Sequence, residues 1–199
     1  ETLWLQELSE PTKLMKLREI MKKNRVLDCS IKFFCSSWRG IGVDRHLIQK
    51  AISAALDCNG SYINEKLALA VVLADDKFVQ DHNKRFRSRD KPTNVLAFRQ
   101  IRLSRNRSLI SPKSEPIELG DVIIAYETVI RESKESSIPV KQHVSHLIIH
   151  GVLHLLGHDH QNEKDTKIMQ QTEIDALELI GCPNPYLNEI DVTRIEAYE

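Results

Sequence analysis

The sequence predicts an α+β chain: a small mixed four-stranded sheet packed by helices, with a metal site on the central helix. Three observations carry this reading. Four short runs of strand composition are separated by stretches with helical periodicity. One long run, VKQHVSHLIIHGVLHLL at 140–156, is apolar nearly all round, as a buried central helix must be. That run leads into HGVLHLLGHDH at 150–160, with histidines at offsets zero, four and ten and a glycine between. Side chains four apart share one helix face, so His150 and His154 can point at one ion while the chain turns after Gly157 to return His160.

The elements follow in order. Residues 1–27 place Leu14, Met15, Leu17, Ile20 and Met21 at near-helical spacing, which predicts a helical N-terminal extension. CSIKFFCSSW at 29–38 has strand content, and a helix follows through Leu47, Ile48, Ala51, Ala55 and Cys58. KLALAVVLAD at 66–75 is a continuous apolar strand of the kind covered on both faces. Asp75 or Asp76 then caps a helix running to about Arg85. FRSRDKPT reads as a loop entering the strand NVLAF at 94–98, and 99–117 as a long, mobile excursion. LGDVIIAY at 119–126 is the fourth strand, with a charged helix after it at 127–136. Pro139 starts the central helix, Gly157 ends it, and a last helix spans about 162–180 before Gly181.

With 41% hydrophobic and 28% charged residues in 199, the composition is globular rather than disordered, and one main domain is expected. The longest apolar run, LALAVVLA, is far shorter than the roughly 20 residues of a membrane span. The first residues lack the basic and apolar blocks of a secretory signal, so a cytoplasmic location without membrane association is expected. Cys29, Cys35, Cys58 and Cys182 form no C-x-x-C pair, which predicts reduced, mostly buried thiols rather than a zinc–thiolate site. The net charge of zero hides an asymmetry: nine basic residues lie between Lys84 and Arg107 against the single acid Asp90. Such a local field suits a polyanion.

Four histidines, His143, His146, His150 and His154, lie near one stripe of the central helix. His146 and His154 are separated by about 12 Å at 1.5 Å per residue, too far for one ion. The workable set is His150 and His154 with His160, preferred over His158 for its spacing, and His146 reads as structural. Zinc peptidases carry H-E-x-x-H-x-x-G-x-x-H, with glutamate second as the base; here Gly151 holds that place. Three neutral imidazoles suit one Zn2+, though nickel, copper or iron also accept them, and they leave a position for water whose pKa can approach 7. A missing base counts against peptide hydrolysis, while a phosphodiester asks for positive charge.

These blocks resemble the YbeY family of metal-dependent endoribonucleases: HGVLHLLGHDH, FRSRDKPTNVLAF upstream, and LGDVIIAY between them. The resemblance covers roughly 29–186. It implies a metal triad of His150, His154 and His160, and a motif arginine at Arg87. It further implies an endoribonuclease domain at 28–186 followed by a tail at 187–199, single-stranded ribosomal RNA as substrate, the ribosomal small subunit or its proteins as partners, and a role in rRNA maturation and ribosome quality control. Ser88 stands where the family pattern has glycine, and Ala97 where it has serine.

Arg87 also has a case of its own, because its planar fork fits a phosphate. Arg85, Arg89 and Lys91 read either as solvated charges or as diffuse RNA contacts. Phe86 and Phe98 are either core or base-stacking residues, and core is the commoner fate of an aromatic beside a strand. Asp90 reads as a loop-orienting residue. The rival readings are a metalloprotease, which Gly151 disfavours, and a non-catalytic ribosome-associated factor with a structural metal.

Overall fold

The computed structural model describes residues 26–59, 66–100 and 116–187. Residues 1–25 of the expected helical extension 1–27, residues 101–115 of the expected excursion at 99–117, and residues 188–199 of the tail lie outside these residues, while Val26, Leu27, Arg99 and Ile117 belong to strands. The elements are β1 (Val26–Phe33), a 3-10 turn (Ser36–Trp38), α1 (Arg45–Asn59), β2 (Lys66–Ala74), α2 (Asp76–Arg87), β3 (Val95–Arg99), β4 (Ile117–Ala125), α3 (Tyr126–Glu135), α4 (Val140–Leu156) and α5 (Glu163–Leu179).

The four strands form one mixed sheet in the order β1-β2-β4-β3. β2 pairs parallel with β1 and with β4, while the edge strand β3 runs antiparallel to β4. The central position of β2 explains its unbroken apolar run: Leu67, Leu69, Val71 and Leu73 enter the main core, and Val72 and Ala74 serve a smaller core on the opposite face. The main core joins that face of the sheet to α1, α4 and α5, and α4 is its axis through Val144, Ile148, Val152 and Leu155. The opposite face is covered by α2 through Phe78 and Val79, packed with Leu96 and Phe98 of β3.

The first strand is shorter than its composition predicts. It ends at Phe33, and the chain turns so that Trp38 is fully buried, its Nε1 donating to the carbonyl of Ala74 at 3.0 Å. A buried indole must find such an acceptor, and a strand continued to 38 would not deliver it. The four cysteines are free thiols, but half-buried rather than buried. Burial raises the Cys29 thiol to about 11 and pushes Cys182 up as well, which keeps both protonated and unsuited to metal binding.

Gly151 has a role set by packing. A Cβ at this position would lie 2.7 Å from Cγ1 and 3.1 Å from Cγ2 of Val122 on β4. The glycine therefore lets α4 approach the sheet, and a side chain here would be driven into β4 rather than beside an ion. At the other end of the helix Gly157 takes a left-handed conformation (φ 97°), ending α4 and releasing the loop that carries His158 and His160.

Candidate metal centre

The four histidines of α4 have divided their tasks. His143 donates from Nε2 to Glu132 at 2.8 Å, and His146 donates from Nε2 to Oε2 of Glu173 at 3.0 Å. Both are structural, as the spacing argument requires for His146. His158 also turns away, its Nε2 meeting Asn59 Oδ1 of α1 at 2.8 Å. This leaves His150, His154 and His160, each offering one ring nitrogen within 4.8 Å of the others. That is near the span of one ion with nitrogen bonds of about 2.0 Å on either side.

The proton positions make the case sharper. His150 Nδ1 faces the Glu173 carboxylate at 2.7 Å, and His154 Nδ1 faces the carbonyl of His158 at 3.0 Å. Both partners only accept, so both Nδ1 atoms carry the proton and both Nε2 atoms are bare. Those two bare nitrogens stand 3.0 Å apart. Lone pairs at that distance repel unless a cation lies between them. A proton is a poor candidate, because burial, and then the charge of His150, hold the His154 pKa down to about 4. The donor set thus fits a divalent metal ion, and borderline imidazole ligands favour zinc or a neighbouring transition metal.

Behind the trio lies Glu173 of α5, 1% exposed. It accepts from His150, His146 and the hydroxyl of Tyr186. Burial alone would raise its pKa, but the hydrogen bonds from His146 and His150 win and lower it to about 2, so it is a carboxylate. A carboxylate behind a ligating imidazole fixes its tautomer and strengthens its basicity. Sequence reasoning missed Glu173. Its only signal is an acid on the apolar side of the last helix, near Met169, Ala176 and Leu177.

The basic segment is built differently. Arg87 is the last residue of α2, not a loop residue, because the helix runs one half-turn past Arg85 and ends at Ser88 in a left-handed conformation (φ 57°). The following turn folds back onto α2. Asn83, itself buried, donates to the Lys91 carbonyl at 2.7 Å, and Asp90 accepts from Lys84 and Gln80. Asp90 therefore does orient the loop, through side chains of α2. Arg85, Arg87, Arg89 and Lys91 are all exposed. Arg87 donates from Nη2 to the Ala97 carbonyl on β3 at 3.3 Å, leaving its other donors facing outward.

Two residues further along β3, Arg99 approaches the histidine-bearing end of α4. Its guanidinium is 3.1 Å from where a Cβ of Gly157 would stand. A cation over the C-terminus of a helix is favoured by the helix dipole. The basic segment and the histidine trio thus meet through β3, with Arg87 on its outer edge and Arg99 against α4. Of the paired aromatics, Phe98 is half-buried in the smaller core, whereas Phe86 is 57% exposed, against the expectation that both serve the core.

A family model described as endoribonuclease YbeY matches residues 35–181. The chain belongs to the YbeY family. The match takes in Arg87, all three converging histidines and Glu173, and leaves out all of β1. Similar proteins bear the same name. The endoribonuclease YbeY of Magnetococcus marinus is 44% identical over 124 residues, covering 61% of this chain and 84% of its own. That of Sphingopyxis alaskensis is 42% identical over 121 residues, covering 61% and 72%. That of Methylocella silvestris is 34% identical over 165 residues, covering 81% and 85%.

Proposed function

We propose that the chain is a metal-dependent, single-strand-specific endoribonuclease of ribosomal RNA maturation and ribosome quality control. In this reading it is a hydrolase in which residues 28–186 form the catalytic domain, working in the cytoplasm on RNA of the small ribosomal subunit. His150, His154 and His160 hold one divalent ion, zinc by donor chemistry, with nickel an alternative. The observation that carries the proposal is the pair of bare imidazole nitrogens 3.0 Å apart with a third histidine beside them. Family membership supplies RNA as the substrate class, because the matching proteins are named endoribonucleases.

When bound, the ion supplies a Lewis acid and a water acidified toward neutral pH. The protein's residues do the rest. Glu173 holds His150 in the tautomer that leaves Nε2 free, and the His158 carbonyl does the same for His154. Arg87 presents its unused N–H donors to a phosphate, and its anchoring on β3 limits how far the guanidinium swings. Arg85, Arg89 and Lys91 add a positive field that raises the local concentration of RNA. His160 is exposed while His150 and His154 are half-buried, so the trio is open on the side a substrate would approach.

The peptidase reading is weakened by direction as well as by identity. Position 151 faces Val122, so the place of the peptidase glutamate points into the sheet. A purely structural metal predicts that histidine variants unfold. The deciding experiment measures metal content, thermal melting and cleavage of single-stranded RNA for wild type, His154→Ala and Arg87→Ala. His154→Ala should lose metal and cleavage while staying folded, and Arg87→Ala should keep its metal but cleave at least ten-fold more slowly. Full metal content and full cleavage in His154→Ala would defeat the proposal, and equal activity in all three samples would expose a contaminating nuclease.

A further inference from the structure

We infer that Phe86 is a base-stacking site, on which one unpaired base of a single-stranded RNA lies while its flanking phosphates rest on Arg87 and the neighbouring cations. The inference rests on the reading of the chain as an RNA-cleaving protein and adds a recognition residue to it.

The first argument is placement. Phe86 is 57% exposed, so its ring contributes little to the core, and a chain needing only a helix former there has many cheaper choices. The ring is nevertheless held in place. Phe98 meets it at 5.2 Å with planes at 64°, and His82 at 6.0 Å. His82 is itself stacked on Phe78 at 4.2 Å and tied through Nδ1 to the Phe78 carbonyl at 2.8 Å. An exposed aromatic whose orientation is set by other rings is a platform with little entropy left to lose when a base arrives.

The second argument is charge. Phe86 sits among Lys84, Arg85, Arg87, Arg89 and Lys91, and the one acid of that stretch, Asp90, is occupied by Lys84 at 2.6 Å and Gln80 at 2.9 Å. Its carboxyl is held below the usual carboxylate range by those contacts. A protein partner docking on an exposed ring prefers an apolar surround, since charged groups are depleted from interface centres. A ring with cations on both sides in the chain and one of them over its face fits a polyanion whose monomers have flat π-faces, which is single-stranded nucleic acid. Arg85 already lies over Phe86, its guanidinium 5.2 Å from the ring centroid. Being exposed, it is free to yield that face to a base and move to a phosphate.

The third argument is direction. Phe98 and Ala97 point to opposite faces of the sheet. Phe86 packs on the Phe98 ring, and Arg87 reaches the backbone carbonyl of Ala97, which lies in the plane of the sheet, so this adjacent pair runs from the α2 face to the open edge of β3. The next residue, Arg99, lies against Gly157 at the end of α4 that carries His154. A strand of RNA with a base on Phe86 and phosphate on Arg87 is thereby laid along β3 toward the histidine trio.

The test uses the full chain loaded with zinc, and reads binding separately from cleavage. Fluorescence anisotropy is measured with a phosphorothioate-linked, cleavage-resistant RNA strand, its integrity checked on a gel after each titration, and with the same strand carrying abasic residues, for wild type, Phe86→Ala, Phe86→Leu and Phe86→Trp. Phe86→Ala and Phe86→Leu should weaken the base-bearing strand about 5- to 20-fold, the lower part of the range for losing a stacked base. They should leave the abasic strand, the metal content and the melting midpoint unchanged. Phe86→Trp should bind as wild type or tighter. Equal loss for both strands, or no loss for either, overturns the stacking role. If wild type binds the strand with the expected Phe86 dependence yet cleaves no RNA, the nuclease reading fails and the stacking site stands. If wild type cleaves RNA and Phe86→Ala binds normally, only the stacking site fails.

Discussion

At the C-terminal end of α4 each converging imidazole on the helix is fixed from behind, His150 by a buried carboxylate and His154 by a backbone carbonyl. At the C-terminal end of α2, the exposed cations are held by little: Arg87 by one 3.3 Å bond, and Lys84 by a surface ion pair with Asp90. Under the proposed function the contrast follows from what each end would bind. Metal ligands must hold bare nitrogens close together against their repulsion, which takes buried, over-determined partners. A flexible polyanion is met by charges that remain hydrated and adjustable until it arrives. One end should therefore be brittle toward substitution and the other tolerant.

The severest way to break the ordered end is at Glu173. In Glu173→Gln the side chain keeps its shape, but a single carbonyl oxygen faces three donors, from His146, His150 and Tyr186. We expect metal affinity to fall 10- to 100-fold, the usual cost of losing such a partner, and stability by about 2–4 kcal/mol. Metal titration and urea unfolding with and without chelator separate the two effects. Wild-type affinity in Glu173→Gln would show that the carboxylate does not support the site.

Acid should reach the same end before it reaches the basic turn. The unfolded chain takes a proton on His154 near 6.5, whereas in the fold burial holds that pKa down to about 4. Between these values the unfolded state binds more protons. The stability that this group contributes is thus present above pH 6.5 and lost as pH falls toward 4. For the metal-free protein the loss between pH 7.5 and 5 is about 1–2 kcal/mol. It should shrink in His154→Ala, as urea midpoints at the two pH values would show. Glu173 acts in a separate window, below its ordinary 4.5 and down to about 2, so the two are distinguishable.

Gly151 tests whether this end depends on close packing of α4. Gly151→Ala gains about 1 kcal/mol of helix propensity but forces a methyl to within 2.7 Å of Val122, an overpacking that costs about 1–3 kcal/mol. We expect a net loss near 1 kcal/mol. Val122→Ala should rescue it partly, and a double-mutant cycle measures that coupling. If Gly151→Ala is more stable than wild type, α4 has room to shift and the packing account is wrong.

What the sequence made legible was local, and what it hid was tertiary. The Asp75 cap, the Pro139 start, the Gly157 stop and the unbroken apolar run of β2 all state their structure within a few residues. The trio was legible because four- and six-residue spacings on a helix and its following turn are nearly geometry themselves. Glu173 was not, because its value comes from α5 crossing α4, and nothing within α5 marks that face as polar. Arg99 was hidden for the same reason: its relation to Gly157 exists only once β3 lies beside α4. Gly151 was noticed for the glutamate it replaces, yet its neighbour Val122 is 29 positions away in the chain. Arg87 was placed in a loop because Ser88 is a poor advertisement for a helix end.

Ser88 also gives the mildest test, on the tolerant side of the comparison. It closes α2 at φ 57°, a conformation that costs a residue with a Cβ roughly 1 kcal/mol. Glycine, which the family pattern carries there, removes that cost but gives back about 0.5 kcal/mol through its greater freedom in the unfolded chain. Ser88→Gly should therefore stabilise by only about 0.5 kcal/mol, read as a small rise in the urea midpoint with an unchanged slope. Because the turn is independently tied by the bond from Asn83 to Lys91 and the Asp90 contacts, RNA cleavage should change less than two-fold. A larger change in cleavage than in stability would mean that the serine itself aims Arg87, and that the basic end is more tightly specified than its exposed side chains suggest.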